Sequence, residues 1–314
     1  MRWVPASLLG LVLCWVAGSA VAAAGATPVL PTLRLASWNL EWLVSARTAR
    51  DSLNDCDDGK PAALPCDVAR AQRRDNGDRA ALRAQARRLN ADVIAFQEVE
   101  DAATAAALFR GYDICITAAP GVQQPGFAVR AELPHRCESP LPLGTVQRAR
   151  PAAVMTLFPG GSNEVTLLAV HLKSGCSTQA LPDEDEGGGS ACGILSGQVQ
   201  ALAAWVDAHW RTGERFILMG DFNRAGPDEA DPFWQRLDPL GALHNASEGS
   251  AFGNCFIGQP FHQYIDHILI DGILARRVRP GSFVKHSYAN AQAERYRLSD
   301  HCPISVEMAV PGPD

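Results

Sequence analysis

Short apolar runs separated by polar or glycine-rich turns recur along most of the chain, and this pattern is typical of strands. Residues 93–96 form one continuous apolar run, VIAF, of the kind found in buried strands. Residues 159–163, PGGSN, separate two further runs and predict a hairpin between them. We predict strands over residues 33–40, 92–96, 112–117, 127–130, 152–158, 164–171, 215–219, 264–270 and 303–308.

Helical spacing of apolar residues is confined to a few segments. The clearest places Leu82, Ala86 and Leu89 on one side, with arginines on the other. We predict helices over residues 78–90, 102–109 and 198–210.

Two long polar segments are interpreted as loops. Residues 46–76 are polar, include Asp, Gly and Pro, and contain two cysteines, which indicates a disulfide-tied loop. Residues 174–193 contain the acidic stretch DEDEGGG, which we interpret as solvated, with a Ca²⁺ site as the alternative.

Strands outnumber helices, and hairpins are more frequent than strict alternation of strand and helix. This order predicts an α/β fold, in which two mixed, mainly antiparallel sheets pack face to face with helices outside. The 314 residues, of which 47% are hydrophobic, suit one large domain, which we place at residues 30–311.

The first residues have the layout of a secretory leader. Arg2 precedes an apolar run at residues 6–18, and small residues follow it. A membrane anchor is the alternative, but the run is shorter than the roughly 20 apolar residues that span a bilayer. We predict a cleaved signal peptide over residues 1–24, no stable membrane anchor, and a secreted or periplasmic protein.

The cysteines agree with export. Removal of Cys14 with the leader leaves an even number, which is typical of a disulfide set in an exported chain. Eight cysteines allow on the order of a hundred pairings, so the sequence leaves the pairing open. As a hypothesis we pair neighbours: Cys56 with Cys66, Cys115 with Cys137, Cys176 with Cys192, and Cys255 with Cys302.

The net charge of −6 argues against a protein that holds nucleic acid mainly through its own positive charge. It is compatible with a metal enzyme that acts on phosphates, because carboxylates that bind a cation count as negative until the cation arrives.

Polar residues that a core does not need follow or interrupt several of the predicted strands. One such residue alone is more often a solvated strand end, a turn or a structural histidine. Together they predict a convergent acidic site at one rim of the sheets, and its oxygen ligands suit Mg²⁺ or Mn²⁺ better than zinc. The set comprises Asn39, Glu98, His171, Asp221, Asn223, Asp266, Asp300 and His301.

The motifs around these residues are ASWNLEWL, ADVIAFQEVED, LLAVHLKSG, ILMGDFN, YIDHIL and LSDHCP. In this order they resemble the endonuclease/exonuclease/phosphatase superfamily, which includes pancreatic deoxyribonuclease, abasic-site endonucleases, bacterial sphingomyelinases and inositol-phosphate phosphatases. The resemblance runs from about residue 33 to about residue 308 and is weakest over residues 111–150. It implies a four-layer α/β sandwich with the site at one edge of both sheets.

The resemblance also implies roles. Glu98 is similar to the principal metal ligand, Asn39 to an asparagine that supports metal or phosphate, and Asp300 to a further metal-site acid. His171 resembles the histidine that stabilises the phosphate or protonates the leaving group.

The remaining motif residues correspond to proton transfer and alignment. Asp221 and Asn223 resemble the pair that aligns nucleophile and phosphate, and Asp266 the carboxylate that orients His301. His301 resembles the general base or a transition-state contact, so His301 and Asp221 are competing candidates for the base. A buried aspartate can hold one histidine tautomer, as this role requires.

Basic residues give weaker predictions. Arg150 precedes a strand, where related nucleases use an arginine to contact phosphate, and Arg130 and Arg148 are rivals. Lys173 is a second candidate for phosphate. We leave His267 out, since it should point to the face of its strand opposite Asp266.

We therefore expect a secreted phosphodiesterase that depends on a divalent cation, Mg²⁺ with Mn²⁺ or Ca²⁺ as alternatives, and acts as a monomer. DNA is the preferred substrate, partly because HLKSGC resembles exported bacterial nuclease-type members. The first alternative is a sphingomyelinase-like or other phospholipid hydrolase, for which only Phe233-Trp234 and Ala251-Phe252 offer docking candidates. The second is a catalytically silent binding module on the same scaffold.

Overall fold

A computed structural model describes residue 1 and residues 32–310, except residues 72, 145–148, 183–188, 227, 229 and 260–261. The strands are β1 (Thr32–Leu43), β2 (Val93–Val99), β3 (Tyr112–Ile116), β4 (Gln124–Arg130), β5 (His135–Cys137), β6 (Ala153–Leu157), β7 (Val165–His171), β8 (Phe216–Asp221), β9 (Leu243–Asn245), β10 (Asp266–Asp271), β11 (Val284–Lys285) and β12 (Ile304–Ala309). The helices are α1 (Ala46–Asp57), α2 (Cys66–Ala71), α3 (Asn76–Leu89), α4 (Ala102–Leu108), α5 (Ala191–Thr212), α6 (Pro232–Leu237) and α7 (Asn290–Arg295), with a 3₁₀ turn at Leu274–Arg277.

The strands form two six-stranded sheets, in the orders β11-β12-β1-β2-β4-β3 and β5-β6-β7-β8-β10-β9. Each sheet contains one parallel pair, β1 with β2 and β7 with β8, while the other neighbours are antiparallel. The predicted pair of mixed, mainly antiparallel sheets with helices outside is confirmed.

Alternation of side chains along the strands divides the core into layers. Leu35 of β1 and Ile217 of β8 are fully buried between the two sheets. Leu82 and Leu89 of α3 cover the outer face of the first sheet, and Leu202 of α5 covers the outer face of the second. The predicted spacing of α3 is therefore confirmed.

The structure joins the eight cysteines in the predicted neighbour pairs. Their Cα atoms are 5.6 Å apart in Cys56–Cys66 and 5.4 Å apart in Cys115–Cys137. The corresponding distances are 5.1 Å in Cys176–Cys192 and 5.7 Å in Cys255–Cys302. The last bridge holds the residue directly after His301.

The prediction of a loop over residues 46–76 is wrong, because α1 and α2 occupy most of it and α3 begins at its end. The Ser45 side chain accepts a hydrogen bond from Thr48 N at 3.1 Å and caps α1. The apolar residues of this region are few and small, and Ala49 and Ala69 pack with Leu64 in a separate minor cluster. Such a sparse apolar stripe does not show clear helical spacing in the sequence.

Helix α5 begins at residue 191, earlier than the predicted 198, because Ser190 caps it by accepting a hydrogen bond from Gly193 N at 3.0 Å. The short elements β5, α6, β9, β11 and α7 were not predicted either. The acidic residues of DEDEGGG lie outside the described residues, and so does the predicted signal peptide apart from Met1. No helix in the described part of the chain has the length and apolarity needed to cross a membrane.

Candidate active site at the edge of both sheets

The predicted site residues meet at one edge of the sandwich because of the strand directions. The parallel strands β1 and β2 end at this edge, and so do β7 and β8. β10 runs antiparallel to β8 and begins there, with Asp266 opposite Asp221. β12 runs antiparallel to β1, so the segment before it returns Asp300 and His301 to the same edge.

Unusual backbone conformations surround the site. Glu98 and Asn223 have positive φ angles of 61° and 49°, which ordinary residues rarely adopt. Gly220 has a φ of 146°, and a Cβ atom at this position would lie 2.1 Å from Val170 O. Strain of this kind persists where the surrounding structure holds a functional site in place.

Asn39 connects the two sheets. Its Nδ2 donates to Glu98 Oε1 at 3.2 Å and to Asp221 Oδ2 at 3.0 Å, and its Oδ1 accepts from Glu41 N at 2.9 Å. Asn39 is fully buried. It therefore braces two carboxylates, and its role as a metal ligand stays a prediction.

His301 is paired with Asp266, as the resemblance implied. His301 Nδ1 lies 2.8 Å from Asp266 Oδ2, and both residues are buried. Tyr288 Oη donates to His301 O at 2.7 Å and accepts from Trp38 Nε1 at 3.0 Å. The histidine is thus held through both its ring and its backbone.

The charges around His301 decide its protonation. Burial alone would lower its pKa, but Asp266, through its charge and its hydrogen bond, acts the other way. With further attraction from Asp221 and Asp300, the pKa of His301 rises well above its ordinary value. These carboxylates therefore favour the charged imidazole, with Nδ1 donating to Asp266.

Asp221 is buried at the end of β8. Its Oδ1 accepts from Asn223 N at 2.7 Å, and its Oδ2 accepts from Asn223 Nδ2 at 3.0 Å. Burial raises the pKa of Asp221 to about 7, although His301 and these N–H donors act in the opposite direction. Its carboxyl group can therefore exchange a proton near neutral pH.

His171 differs from His301. Its Nε2 lies 3.5 Å from Glu98 Oε1 and 3.7 Å from Asp221 Oδ2. Burial lowers the pKa of His171 well below its ordinary value, and the charges of Arg150 and His301 act in the same direction. The surroundings of His171 therefore favour the neutral imidazole, whereas those of His301 favour the charged one.

A carboxylate missed by sequence analysis joins Glu98 and Asp300. Glu41 Oε2 accepts from Asp300 N at 3.0 Å. Burial and then repulsion from Asp300 raise the pKa of Glu41 to about 7, and Glu98 acts in the same direction. The predicted strand ended at residue 40, whereas β1 continues to Leu43 and turns at Glu41, whose φ is 45°. Glu41 lies two residues after Asn39, and alternate residues of a strand point to the same face. This spacing could have indicated that Glu41 joins the site.

The buried Arg74 holds this side of the site together. Its guanidinium donates to Glu41 O at 2.7 Å, to Arg297 O at 3.0 Å and to Leu298 O at 2.5 Å. Its Nη2 also lies 3.6 Å from Glu41 Oε2. Arg74 thus ties the end of β1 to the segment that carries Asp300, and nothing in the apolar pattern indicated this contact.

Glu41, Glu98 and Asp300, which we call the carboxylate cluster, have the donor chemistry for a hard divalent cation. They offer only oxygen atoms, and their mutual repulsion is what a cation would relieve. Among the described residues, the acidic and histidine side chains whose candidate ligand atoms lie within 4.8 Å of one another are a different group, Asp221, Asp266 and His301, which we call the histidine cluster. Their hydrogen bonds and the charged imidazole suit a proton better than a metal ion.

Among the described residues, the buried side-chain atoms without a hydrogen-bond partner concentrate at this edge. They are Ser37 Oγ, Gln97 Nε2 and Oε1, His171 Nδ1 and Asp266 Oδ1. Buried polar groups are usually paired, so such a concentration marks a functional site.

The basic residues are distributed unevenly. Arg150 lies at the site, where it donates to His171 O at 3.1 Å and to Leu172 O at 2.8 Å. Lys173 Nζ donates to Ser174 O at 2.9 Å, and its charge acts on His171. Contact of either residue with phosphate stays a prediction.

Arg130, a rival of Arg150, lies away from the site. Its Nε lies 3.3 Å from Asp92 Oδ1. Asp92 directly precedes β2, so this ion pair is at the opposite end of that strand from Glu98. Arg148 lies outside the described residues. His267 points away from the site, as predicted, with its Nε2 3.1 Å from Arg224 O.

Comparisons with known proteins agree with this architecture. The sequence matches the Endonuclease/Exonuclease/phosphatase family over residues 36–301. Because the match spans most of its length, the chain belongs to this family, and the resemblance drawn from the motifs is confirmed. Members of the family are hydrolases that act on phosphoesters, many of them metal-dependent.

Solved structures are similar at low sequence identity. A truncated TDP2 of Caenorhabditis elegans has a TM-score of 0.53 and 17% identity, covering 89% of this chain and 98% of that chain. The AP endonuclease LMAP of Leishmania major has a TM-score of 0.55 and 16% identity, covering 89% and 88%. The human Nocturnin catalytic domain, with a bound sulfate anion, has a TM-score of 0.52 and 14% identity, covering 88% and 94%. These likenesses show the fold alone, and no curated protein matches the chain.

Proposed function

We propose that the protein is an exported, divalent-metal-dependent phosphodiesterase that hydrolyses DNA, with residues 30–311 as its catalytic domain. The observation that carries the proposal is the division of the site into a carboxylate cluster and a histidine cluster, joined by Asn39. The carboxylate cluster supplies oxygen ligands, and the histidine cluster supplies groups that hold or move a proton.

Glu98 and Asp300, with Glu41, would hold Mg²⁺. When bound, the cation would neutralise charge on the phosphate oxygens and on the leaving oxygen. Asn39 would keep Glu98 in place through its hydrogen bond. The carboxylate oxygens of Glu41, Glu98 and Asp300 favour Mg²⁺, with Mn²⁺ and Ca²⁺ as alternatives.

Asp221 would accept the proton of the attacking water. Its pKa, raised by burial to about 7, suits a base that works near neutral pH. Asn223 holds both carboxylate oxygens in one orientation through its two hydrogen bonds. This choice favours Asp221 over His301 as the base.

His301 would contact the phosphate as a charged donor. Its Nδ1 is engaged with Asp266, so Nε2 would be the atom that donates to a phosphate oxygen. His171, which is buried and whose surroundings favour the neutral form, would donate a second hydrogen bond without adding charge. Attack on phosphorus increases charge on these oxygens, so both contacts would strengthen in the transition state.

One observation favours DNA over lipid. Phe233 and Trp234, two of the residues considered for membrane docking, are buried in the core. Four disulfides within the chain are typical of proteins in oxidising compartments and support export.

The test is an assay of purified protein on plasmid DNA, RNA and sphingomyelin, each with Mg²⁺ and with EDTA. We expect Mg²⁺-dependent nicking of the plasmid. Cleavage of sphingomyelin without cleavage of nucleic acid would refute the nuclease, and no cleavage of any substrate would favour a silent module.

A further inference from the structure

A groove of about 1010 Å³ opens beside the candidate site. One wall is residues 60–66, which lie between α1 and α2 and end at the Cys56–Cys66 bridge. Residues 119–124 and 149–151 form the other wall, and Trp42 also lines the groove. The groove is thus built partly from the segment in which sequence analysis saw only a loop.

The groove is continuous with the site through two lining residues. Trp42 N donates to Glu98 Oε2 at 3.0 Å. Arg150 donates to His171 O and Leu172 O on one side and to Gln123 Oε1 at 3.2 Å on the other. A ligand whose phosphate lies between Glu98 and His171 would therefore extend into the groove.

The position of Trp42 is specified by an unusual backbone. Its φ is 54°, directly after the positive φ of Glu41, so β1 bends where the tryptophan enters the groove. The ring packs against the cluster that contains Leu64 and Ala69 and stays half-exposed. Bulky residues adopt this conformation only when the fold holds them there.

The lining combines flat apolar surfaces with cations. Trp42 offers an aromatic ring, and the exposed Pro65 and Pro120 offer two further flat surfaces. Lys60 lines the rim, where its Nζ also lies 2.9 Å from Asp58 Oδ2, and Arg150 lines the inner end. Aromatic rings next to positive charges are the elements by which proteins bind unpaired nucleobases and their phosphates.

We propose that this groove binds an unpaired nucleobase of the substrate strand, stacked on Trp42, next to the phosphate to be cleaved. The proposal rests on the proposed nuclease activity and narrows its substrate to single-stranded or locally unpaired DNA. A base within a duplex is stacked on its neighbours and cannot enter a groove unless it leaves the helix.

An acyl chain is the competing occupant, and the surface argues against it. Lipid phosphodiesterases need large apolar side chains exposed around the site to enter the bilayer surface. Within the described part of the chain, none of the large apolar residues with substantial exposure lines the groove. These exposed residues are Met1, Trp210, Leu240, Ile257, Ile273 and Val284.

The test compares two nuclease-resistant ligands of equal length and charge in Mg²⁺. One is a phosphorothioate pentathymidylate, and the other carries abasic tetrahydrofuran units in place of its nucleosides. We expect wild-type protein to bind the first about tenfold more tightly, the effect of losing one base–aromatic stack. Equal affinity for the two ligands overturns the proposal without the need for any variant.

Variants locate the effect. Trp42→Ala should remove the difference between the two ligands, and Trp42→Phe should keep most of it. Trp210→Ala, which removes an exposed tryptophan of α5, should leave it unchanged. A difference that persists in folded Trp42→Ala would overturn the assignment.

The outcomes separate this proposal from the proposed function. Base-dependent binding without cleavage of an ordinary oligonucleotide would refute the nuclease and support the groove. Cleavage of the ordinary oligonucleotide together with equal affinity for the two test ligands would support the nuclease and overturn the proposed base-binding groove. Trp42-dependent binding of sphingomyelin vesicles, without binding of either oligonucleotide, would assign the groove to lipid and overturn the proposal.

Discussion

The two halves of the candidate site differ in how their charges are balanced. In the carboxylate cluster, Glu41 and Asp300 repel each other, and burial raises the pKa of both. In the histidine cluster, Asp266 is paired with His301, and Asp221 is surrounded by N–H donors. All three groups of the first half are carboxylates, and Arg74 lies 3.6 Å from one of them, Glu41, whereas the second half includes the imidazole of His301. Because of this difference, we assign the cation to the carboxylate cluster and the proton to the histidine cluster.

The largest expected effect lies in the histidine cluster. His301→Ala should lower kcat by about 10³-fold, because it removes the charged donor to the phosphate. The Mg²⁺ concentration at half-maximal activity should change little. Steady-state kinetics at several Mg²⁺ concentrations measures both quantities.

The control is His244→Ala, which removes a partly exposed histidine of β9. It should behave as wild type. Near wild-type turnover in His301→Ala would contradict the role given to this residue.

A substitution in the carboxylate cluster should instead change mainly the Mg²⁺ concentration that the enzyme requires. Glu98→Gln keeps the shape of the side chain but removes the charge, so the Mg²⁺ concentration for half-maximal activity should rise by about 10²-fold. Excess Mg²⁺ should restore much of the activity. Glu248→Gln, at an exposed glutamate, is the matched control. An unchanged Mg²⁺ requirement would place the cation elsewhere.

How far the sequence predicted this arrangement depends on the kind of signal. Glu98, Asp221 and His301 were predicted because each occurs beside a short apolar strand, and strand direction brings them to one edge. Glu41 and Arg74 were not, because their contact depends on a bend at positive φ and on a segment whose apolar stripe is sparse. Hydrophobic periodicity reports burial, and it does not report hydrogen bonds between distant polar residues.

Arg74 allows a test of this missed contact. Arg74→Lys retains the positive charge but cannot reach three carbonyl oxygens, so the segment before Asp300 should loosen. We expect about a tenfold loss of activity, comparable to losing one charged hydrogen bond, with a higher Mg²⁺ requirement. Arg73→Lys, at the exposed neighbouring arginine, should have neither effect. A lower thermal midpoint with an unaltered Mg²⁺ requirement would indicate a purely structural role.

The smallest expected effect is a difference in ionisation between His301 and His171 in the metal-free protein. At pH 7, ¹⁵N NMR of the imidazoles should show His301 charged and His171 neutral, following the raised and lowered pKa values. Charged His301 stabilises the fold fully below its unfolded pKa of about 6.5, and this stability is lost as pH rises through the folded pKa. Neutral His171 destabilises the fold as pH falls below about 6.5, since the unfolded chain takes up the proton. The same ionisation state for both rings would contradict the contrast between them.

The central claim is that a divalent cation in the carboxylate cluster is needed for phosphodiester cleavage. The most direct measurement is cleavage of plasmid DNA by protein dialysed against EDTA, before and after addition of Mg²⁺, for wild type and Glu98→Gln. We expect no cleavage in EDTA, full recovery of wild type at low Mg²⁺, and recovery of Glu98→Gln only at much higher Mg²⁺. Undiminished cleavage in EDTA, or identical recovery of the two proteins, would contradict the central claim.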